Sequence, residues 1–396
     1  MTKSQIREFL FEAKHLTGLL VAAVAVAVFL YMEVAAVGQS MGTALPQTPQ
    51  APKDNPTTPA KVALGKLLFW DPLLSGPQDV ACASCHHPQN GYAEDRDLAL
   101  GVTAIGLGKS RRQAPGSTIP IVKRNSPTVL NIAFSGSDQS GHYDPATAPM
   151  FWDMRVKSLE KQALEPLKAL EEMRGGDTYP EDEALAKVAA KLQANAEYRR
   201  LFAGAFGGAQ PVNAENLGRA IAAFERTLLA NNSPFDRYMR GDRSAMTEEQ
   251  VSGMQRFERV GCIKCHNGPM FSDYKLHVMG VPDNPALPAS DDGAEKTYAF
   301  RTPTLRNLTF TGPYEHNGMF PTLSAVVGFY EDARGGRSRN PNVSPEQLDP
   351  LIRELGDFDE EDVDLIEFLR ALSDDSFDKT IPERVPSGLP VGGRIQ

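Results

Sequence analysis

Two short segments of this sequence combine cysteine and histidine at the spacing used for covalent haem attachment. Their sequences are CASCH and CIKCH, and their residues are Cys82, Cys85 and His86 in the first and Cys262, Cys265 and His266 in the second. In such a segment both thiols bond to the haem vinyl groups, and the histidine can ligate the iron through a neutral imidazole. The two segments use all 4 cysteines of the chain, so none remains for a disulfide.

Two other kinds of cysteine site fit this pattern less well. Zinc half-sites normally face each other across a loop of roughly 12–20 residues, whereas Cys85 and Cys262 lie far apart in the chain. A thioredoxin-like redox pair would not need a histidine after each copy. The sequence therefore predicts a protein that carries two covalently bound haem c groups.

Length and charge narrow the class of protein further. The chain has 396 residues, which is enough for two or three domains with a sizeable core. Its net charge of −9 argues against nucleic acid and against an anionic membrane surface as partners. An acidic surface would suit a basic electron donor.

The N-terminal segment has the features of an export signal. Residues 19–32 are almost entirely apolar (LLVAAVAVAVFLYM), and Lys3, Arg7 and Lys14 precede them. The run is long for a signal core and short for a spanning helix. Residues 1–36 are therefore predicted to be a signal peptide or a membrane anchor, with the rest of the protein in the periplasm, free or held at the inner membrane. Residues 37–60, rich in Pro, Thr and Gln, are predicted to be a flexible tether.

Helical periodicity predicts a mainly α protein built from two tandem cytochrome c-like haem domains. Strand signals are sparse, and each half repeats an apolar helix, a haem motif and a Pro/Gly turn with an aromatic residue. Gly207 to Pro211 interrupts the pattern, which predicts an N-terminal haem domain over 61–210 and a C-terminal haem domain over 211–373. Residues 374–396 form a tail that is expected to wrap back over the first domain. Helices are expected over 61–70, over 158–173 with a break at Pro166, and over 181–206. A fourth helix has Leu217, Ile221, Phe224 and Leu228 on one face, and a fifth begins at Thr247. The last helix has Val363, Ile366, Leu369 and Leu372 on one face.

Several further motifs resemble the bacterial di-haem cytochrome c peroxidases and their relative MauG. The resemblance covers nearly everything from Ala60 to Leu372 and rests on the order and spacing of its motifs. They are ALGKLLF at 63–69, NSPT at 125–128, FWD at 151–153, RTPTLRN at 301–307 and PYEHNG at 313–318. It implies a peroxidase in which hydrogen peroxide reacts at the N-terminal haem, and electrons are handled by the C-terminal haem.

The same resemblance assigns residues around the reactive haem. His86 would be the proximal ligand, and Gln162, Pro166 and Glu172 would form the distal pocket, where a buried carboxylate can move a proton between the two peroxide oxygens. On the sequence alone, with Glu171 beside it, Glu172 is better explained as part of a solvated helix face, whereas its offset from Trp152 favours the catalytic role. Trp152 would relay electrons between the haems, although a core aromatic is the commoner use of tryptophan.

A calcium site between the haems is also implied. It would use Asn125, Thr311 and Pro313, which offer one side-chain oxygen and two carbonyl oxygens, the ligand type that calcium requires. The alternative is that these residues only form structural turns.

Two departures from the peroxidase pattern favour the MauG-like branch. The loop from Gly101 to Arg124 holds no histidine that could close the reactive iron, and only His142, in an insertion, could substitute for it. The far-side ligand of the C-terminal haem falls on Tyr330, where the peroxidases have methionine. A tyrosinate favours high oxidation states, whereas a thioether raises the reduction potential. The remaining candidates for this ligand are Met270, Met279 and Met319.

The predicted function is therefore peroxide reduction with electrons from a donor. That donor would be a small cytochrome, a cupredoxin or a substrate protein oxidised in the manner of MauG. The alternative from another class is a non-catalytic di-haem electron-transfer cytochrome with both irons closed, in which Gln162 and Glu172 would be incidental. A haem-based sensor would need an output domain, and the sequence shows none.

Overall fold

The computed structural model describes residues 43–176, 178–359 and 362–396. The predicted signal or anchor at 1–36 lies outside the described residues. The described α-helices are α1 (Pro59–Trp70), α2 (Cys82–Cys85), α3 (Leu159–Gln162), α4 (Glu165–Lys168), α5 (Ala184–Ala194), α6 (Ala196–Phe206), α7 (Ala214–Glu225), α8 (Pro234–Met239), α9 (Glu248–Arg259), α10 (Leu323–Arg334) and α11 (Val363–Ala371).

Short elements fill the connections between these helices. Three two-stranded antiparallel sheets pair β1 (Ala104–Ile105) with β2 (Arg112–Gln113), β3 (Pro149–Met150) with β4 (Val156–Lys157), and β5 (Leu276–Val278) with β6 (Ala299–Arg301). The prediction of a mainly α-helical fold is confirmed. None of the helices in the described part of the chain has the length and apolar character needed to cross a bilayer.

Each half of the molecule is built on one crossed pair of helices. Helix α1 crosses α7, and α9 crosses α11. A glycine lies at each crossing: a Cβ added at Gly65 would lie 2.0 Å from Ala220 O, and one added at Gly253 would lie 1.9 Å from Asp364 O. Because no side chain fits at either place, the backbones approach closely and fix the position of the haem motif that follows α1 or α9.

A repeated asparagine ties the last helix of each half to its haem loop. Asn131 donates its backbone N–H to Leu228 O and accepts from Ala230 N through Oδ1 at 2.8 Å. Asn307 repeats both contacts, to Leu372 O and from Asp374 N at 3.0 Å. The repeat predicted from the sequence is therefore present in three dimensions, with α7 and α11 as equivalent elements.

This packing corrects the predicted domain boundary at 210/211. Helix α7 was expected in the second domain, but its residues Leu217, Ile221 and Phe224 belong to the core that includes Leu64. The second core begins at Phe235. The sequence break at 207–210 separates α6 from α7 within the first half, since the gap that divides the two cores lies after Ala230.

The predicted tether is also corrected for residues 43–58. Leu45 is buried at 1% exposure, and its N–H donates to Asp236 Oδ1 at 2.9 Å. Asn55 is fully buried beside α7. One apolar and one polar anchor thus hold a segment whose composition alone suggests flexibility.

The tail over 374–396 packs on the first half, as expected. Ser84, between the two cysteines of the first motif, donates to Gly392 O at 2.8 Å across 308 positions of sequence. Gly392 N–H donates to Trp70 O, and Arg394 N–H donates to Asp79 O. The tail therefore completes the wall of the N-terminal half around α2.

Candidate haem and peroxide site

A cavity of about 620 Å³ runs through both halves of the molecule and is lined by both cysteine motifs. All six predicted attachment residues lie on its wall: Cys82, Cys85, His86, Cys262, Cys265 and His266. The two motifs occupy equivalent places, one after α1 and the other after α9.

The two motif histidines are oriented in the same way. His86 Nδ1 lies 3.1 Å from Tyr92 O, and His266 Nδ1 lies 3.0 Å from Phe271 O. A carbonyl oxygen can only accept, so each Nδ1 carries the proton and each Nε2 is left as the ligand atom. Burial lowers the pKa of both imidazoles, that of His266 to about 4, which keeps them neutral as iron ligation requires.

Three residues on the cavity wall have a buried side-chain nitrogen without a hydrogen-bond partner among the described residues. These nitrogens are Arg301 Nε, Arg306 Nη2 and His316 Nδ1. Burying such groups unpaired is costly, so they suit a ligand that brings anionic oxygens. The carboxylates of a haem meet this need, and the donor set therefore fits two c-type haems.

The predicted distal residues converge on the N-terminal part of this cavity. Gln162 ends α3, Pro166 lies in the first turn of α4, and Glu172 lies in a π-helical turn over Leu170–Arg174. All three line the cavity. The predicted break at Pro166 is present, since the helical pattern over 158–173 divides into three short segments.

The Glu172 turn is held in place by the loop that follows the first haem motif. Val102 N–H donates to Glu172 O at 2.9 Å. A Cβ on Gly101 would lie 2.1 Å from Glu171 O and 2.2 Å from Glu172 O, so only glycine permits this approach. π-Helical turns are rare and occur often at functional sites.

The carboxyl group of Glu172 is suited to proton transfer near neutral pH. Burial raises its pKa to about 7, with a further rise from the neighbouring Glu171 and an opposing effect of Arg155. A group with this pKa can both accept and return a proton. Its place on the cavity wall favours the distal-pocket assignment over a solvated helix face.

Trp152 connects the two halves through its own backbone and ring. Its Nε1 donates to Asn125 O at 3.1 Å, and its carbonyl accepts from Arg301 N at 2.7 Å. Asn125 and Arg301 are the first residues of the repeated NSPT and RTPT motifs. The His316 ring meets the indole edge-on at 6.4 Å, and all of these residues line the cavity.

Tyr330 projects from α10 into the C-terminal part of the cavity. Burial and the nearby Glu315 raise the pKa of its phenol. Met270 and Met279 also line the cavity, whereas Met319 does not. The choice of far-side ligand predicted from the sequence therefore narrows to Tyr330 and these two methionines.

His142 is exposed and lies outside the cavity lining, with its Nδ1 bonded to Ser140 Oγ. The cavity-lining histidines of the described residues are His86, His266, His277 and His316. The predicted calcium ligands Asn125, Thr311 and Pro313 also line the cavity, and Asn125 O accepts the hydrogen bond from Trp152 Nε1.

Sequence reasoning missed one titratable group of the first haem site. Glu225, the last residue of α7, is buried and lines the cavity. A signal was available, because Glu225 falls at the i+4 position from Ile221 and so lies on the apolar face of its helix.

Comparisons with known proteins agree with this geometry. The model of the di-haem cytochrome c peroxidase family matches residues 59–244. The methylamine utilization protein MauG of Methylorubrum extorquens is 35% identical over 344 residues, which is 85% of this chain and 85% of the relative. The cytochrome c551 peroxidase of Pseudomonas aeruginosa is 32% identical over 301 residues, 73% of this chain and 77% of the relative.

A solved structure supports the same grouping. A MauG-like protein associated with microbial copper homeostasis superposes with a TM-score of 0.66 at 28% identity, covering 84% of this chain and 95% of that chain. The paired haem motifs, the shared cavity and these relatives identify the chain as a member of the di-haem cytochrome c peroxidase family, and thus as a peroxide-using oxidoreductase with two c-type haems.

Proposed function

We propose that hydrogen peroxide is reduced at the haem held by Cys82, Cys85 and His86, with electrons arriving by way of the haem held by His266. The observation that supports this division is the asymmetry of the cavity. Its N-terminal part has an amide and a partly buried carboxylic acid, Gln162 and Glu172, whereas in its C-terminal part the acid Glu315 lies beside the phenol of Tyr330. When bound, each haem supplies an iron that exchanges electrons, and the N-terminal iron also binds peroxide.

The chain's own residues act on the peroxide proton. The carboxylate of Glu172 accepts the proton from one peroxide oxygen and returns it to the other, so that the O–O bond breaks with water as the leaving group. The amide of Gln162 holds the bound oxygen by a hydrogen bond. Pro166, the second residue of α4, has no backbone N–H and therefore places an apolar surface beside these two polar groups.

Trp152 is the electron relay in this proposal. Its indole lies on the wall of the cavity between the repeated motifs and is bonded to one motif on each side. A relay fixed by backbone contacts keeps its distance to both haem sites constant.

The MauG-like branch is favoured by the two ligand positions. The loop over 101–124 contains no histidine that could close the N-terminal iron. The only other candidate, His142, is exposed to solvent. Tyr330 in place of methionine favours a C-terminal iron that is stable at high oxidation state. The electron donor is accordingly a substrate protein or organic reductant, or else a small cytochrome or cupredoxin that docks on the acidic surface.

We further propose a calcium ion at Asn125, Thr311 and Pro313, and a periplasmic location. Asn125 is 6% exposed, and its Nδ2 donates to Arg96 O at 2.9 Å, which turns the side-chain oxygen away from that contact. Removal of calcium by EGTA should slow electron transfer between the haems, because Asn125 O also holds Trp152. Metal analysis of the purified protein checks the calcium content directly.

Low-temperature EPR of the fully oxidised protein tests the central proposal. One high-spin and one low-spin ferric signal are expected, because the iron at His86 is open. Addition of hydrogen peroxide should then change the spectrum without prior reduction. Two low-spin signals and no reaction with peroxide would contradict the proposal.

A further inference from the structure

Glu225 is a buried acid on the wall of the N-terminal haem site that the peroxide mechanism above leaves unused. Its side chain is 4% exposed, it lines the cavity, and its Oε2 has no hydrogen-bond partner among residues 43–176, 178–359 and 362–396. Glu225 also acts electrostatically on the thiol of Cys82, as Glu172 does, so both acids lie near the same edge of the haem site. Glutamate is almost never fully buried without a partner or a function.

The C-terminal half has no acid at the equivalent position. Two independent contacts align α7 with α11. Gly65 packs on Ala220 as Gly253 packs on Asp364, so Ala220 corresponds to Asp364. The repeated asparagine bonds Leu228 O in one half and Leu372 O in the other, so Leu228 corresponds to Leu372.

By both alignments Glu225 is equivalent to Leu369, which is buried and also lines the cavity. The next residues differ as well, since Arg226 is buried at 2% side-chain exposure, whereas its counterpart Arg370 is 55% exposed. At these two aligned positions the N-terminal half therefore has a buried acid and a buried arginine, whereas the C-terminal half has a leucine and an exposed arginine.

An ion pair lies near Glu225, and both of its charges act on the Glu225 carboxyl group. Arg226 Nη2 lies 2.7 Å from Glu160 Oε1, and Arg226 Nη1 has no hydrogen-bond acceptor in the described part of the chain. Glu160 lies on α3, the helix that ends at Gln162, and its side chain is 16% exposed. Asn55 Nδ2 donates to the same Glu160 oxygen at 2.8 Å and covers the pair. Glu160 is therefore the acid of this cluster that lies nearer the surface, although its Oε2 is itself buried without a hydrogen-bond partner among the described residues.

The charges around Glu225 keep both of its protonation states accessible. Burial raises the pKa of Glu225 to about 8, Arg226 lowers the pKa, and Glu160 raises it. At neutral pH the side chain is mostly protonated, yet the adjacent guanidinium stabilises the carboxylate once a proton has left. This is the behaviour expected of a proton donor.

We propose that Glu225 is a second proton-transfer residue of the N-terminal cavity and supplies one of the protons consumed in peroxide reduction. Reduction of one hydrogen peroxide to two waters takes two electrons from the donor and two protons. Glu172 only moves a proton already present on peroxide, so the net protons must come from elsewhere. Glu225 releases one to the cavity, becomes a carboxylate held by Arg226, and is protonated again from solvent on the Glu160 side.

This inference rests on the proposed function, and the experiment separates the two. Peroxide turnover is measured with the dye ABTS as reductant for the wild type, Glu225→Gln and Glu225→Leu, the last reproducing the residue of the C-terminal half. Glu215→Gln is the matched control, since Glu215 lies on the same helix and its side chain is 71% exposed. Haem content and EPR spectra are compared first, and they should match the wild type.

The Glu225 variants should lose about 100-fold in kcat, the lower end of a general acid contribution, and should lack the fall in rate above about pH 8. Glu215→Gln should keep both. A wild-type protein without peroxide turnover would overturn the proposed function. Wild-type turnover with an unchanged rate and alkaline limb in Glu225→Gln would overturn only the role of Glu225.

Glu160→Gln provides a test that leaves the cavity wall intact, should a Glu225 variant bind haem poorly. It removes a charge that raises the pKa of Glu225 and frees Arg226 to pair with that carboxylate, and both effects lower the pKa. The alkaline limb should therefore move to lower pH. An alkaline limb at the wild-type position would contradict the inference.

Discussion

Replacement of Glu172 by glutamine should abolish proton transfer at the distal pocket while preserving its shape. Glutamine fills the same space beside Gly101 and can still donate a hydrogen bond, but it cannot accept the peroxide proton. General acid–base groups contribute typically about 10²–10⁴-fold to a rate. At about 1.4 kcal/mol per factor of ten, the expected loss is roughly 3–5 kcal/mol of transition-state stabilisation.

The pH dependence gives the sharper test. Only the carboxylate form of Glu172 can accept a proton, and burial with Glu171 nearby raises its pKa to about 7. Between pH 6 and pH 8 the ionised fraction of Glu172 rises from about 0.1 to about 0.9, so a rate that depends on Glu172 alone should climb nearly tenfold. With Glu225 acting as an acid of pKa about 8, the complete profile should be bell-shaped.

Stopped-flow mixing of the oxidised protein with hydrogen peroxide, followed by the Soret band, measures this rate directly. Glu171→Gln is the control: it removes the neighbouring charge that raises the pKa of Glu172, so its acid limb should shift to lower pH with an unchanged plateau. The assignment of Glu172 is refuted if Glu172→Gln reacts at the wild-type rate and retains the same acid limb.

Three further predictions concern electron transfer and stability. Trp152→Phe should keep both haems but slow the electron transfer between them, as measured by flash photolysis; equal rates would remove Trp152 from the relay. Tyr330→Met should raise the reduction potential of the C-terminal haem in a redox titration, because a thioether replaces an anionic ligand; an unchanged potential would show that another group ligates the iron. Gly253→Ala should destabilise the protein by about 3 kcal/mol in thermal unfolding, since its Cβ would lie 1.9 Å from Asp364 O. Gly204→Ala in α6 is the control for this substitution, because a Cβ there would meet open space; it should leave the stability of the protein unchanged or raise it by about 1 kcal/mol.

The haem-attachment and distal residues could be predicted because their residue types occur at short, characteristic spacings in the sequence. Each Cys-x-x-Cys-His motif places two thiols and an imidazole within about one helical turn, so no tertiary information is needed to recognise it. The distal residues Gln162, Pro166 and Glu172 follow Trp152 at short offsets, and their common place on the cavity wall agrees with that assignment.

The domain boundary was less predictable because periodicity does not identify a packing partner. The stripe of Leu217, Ile221 and Phe224 shows that one face of α7 is buried, but either core could cover it. The choice is made by Gly65, which lets α7 approach α1, more than 150 positions earlier in the chain. The packing of residues 43–58 similarly depends on two anchors, Leu45 and Asn55, within a polar segment.

The tail that closes the N-terminal half also sets an order of assembly. Ser84 finds its acceptor, Gly392 O, 308 positions further along the chain. Since a chain is made and begins to fold from its N-terminal end, the first haem motif emerges early but is enclosed only after the whole second half has been synthesised. The N-terminal pocket is thus the first to be produced and the last to be closed, and its completion depends on synthesis of the entire C-terminal half.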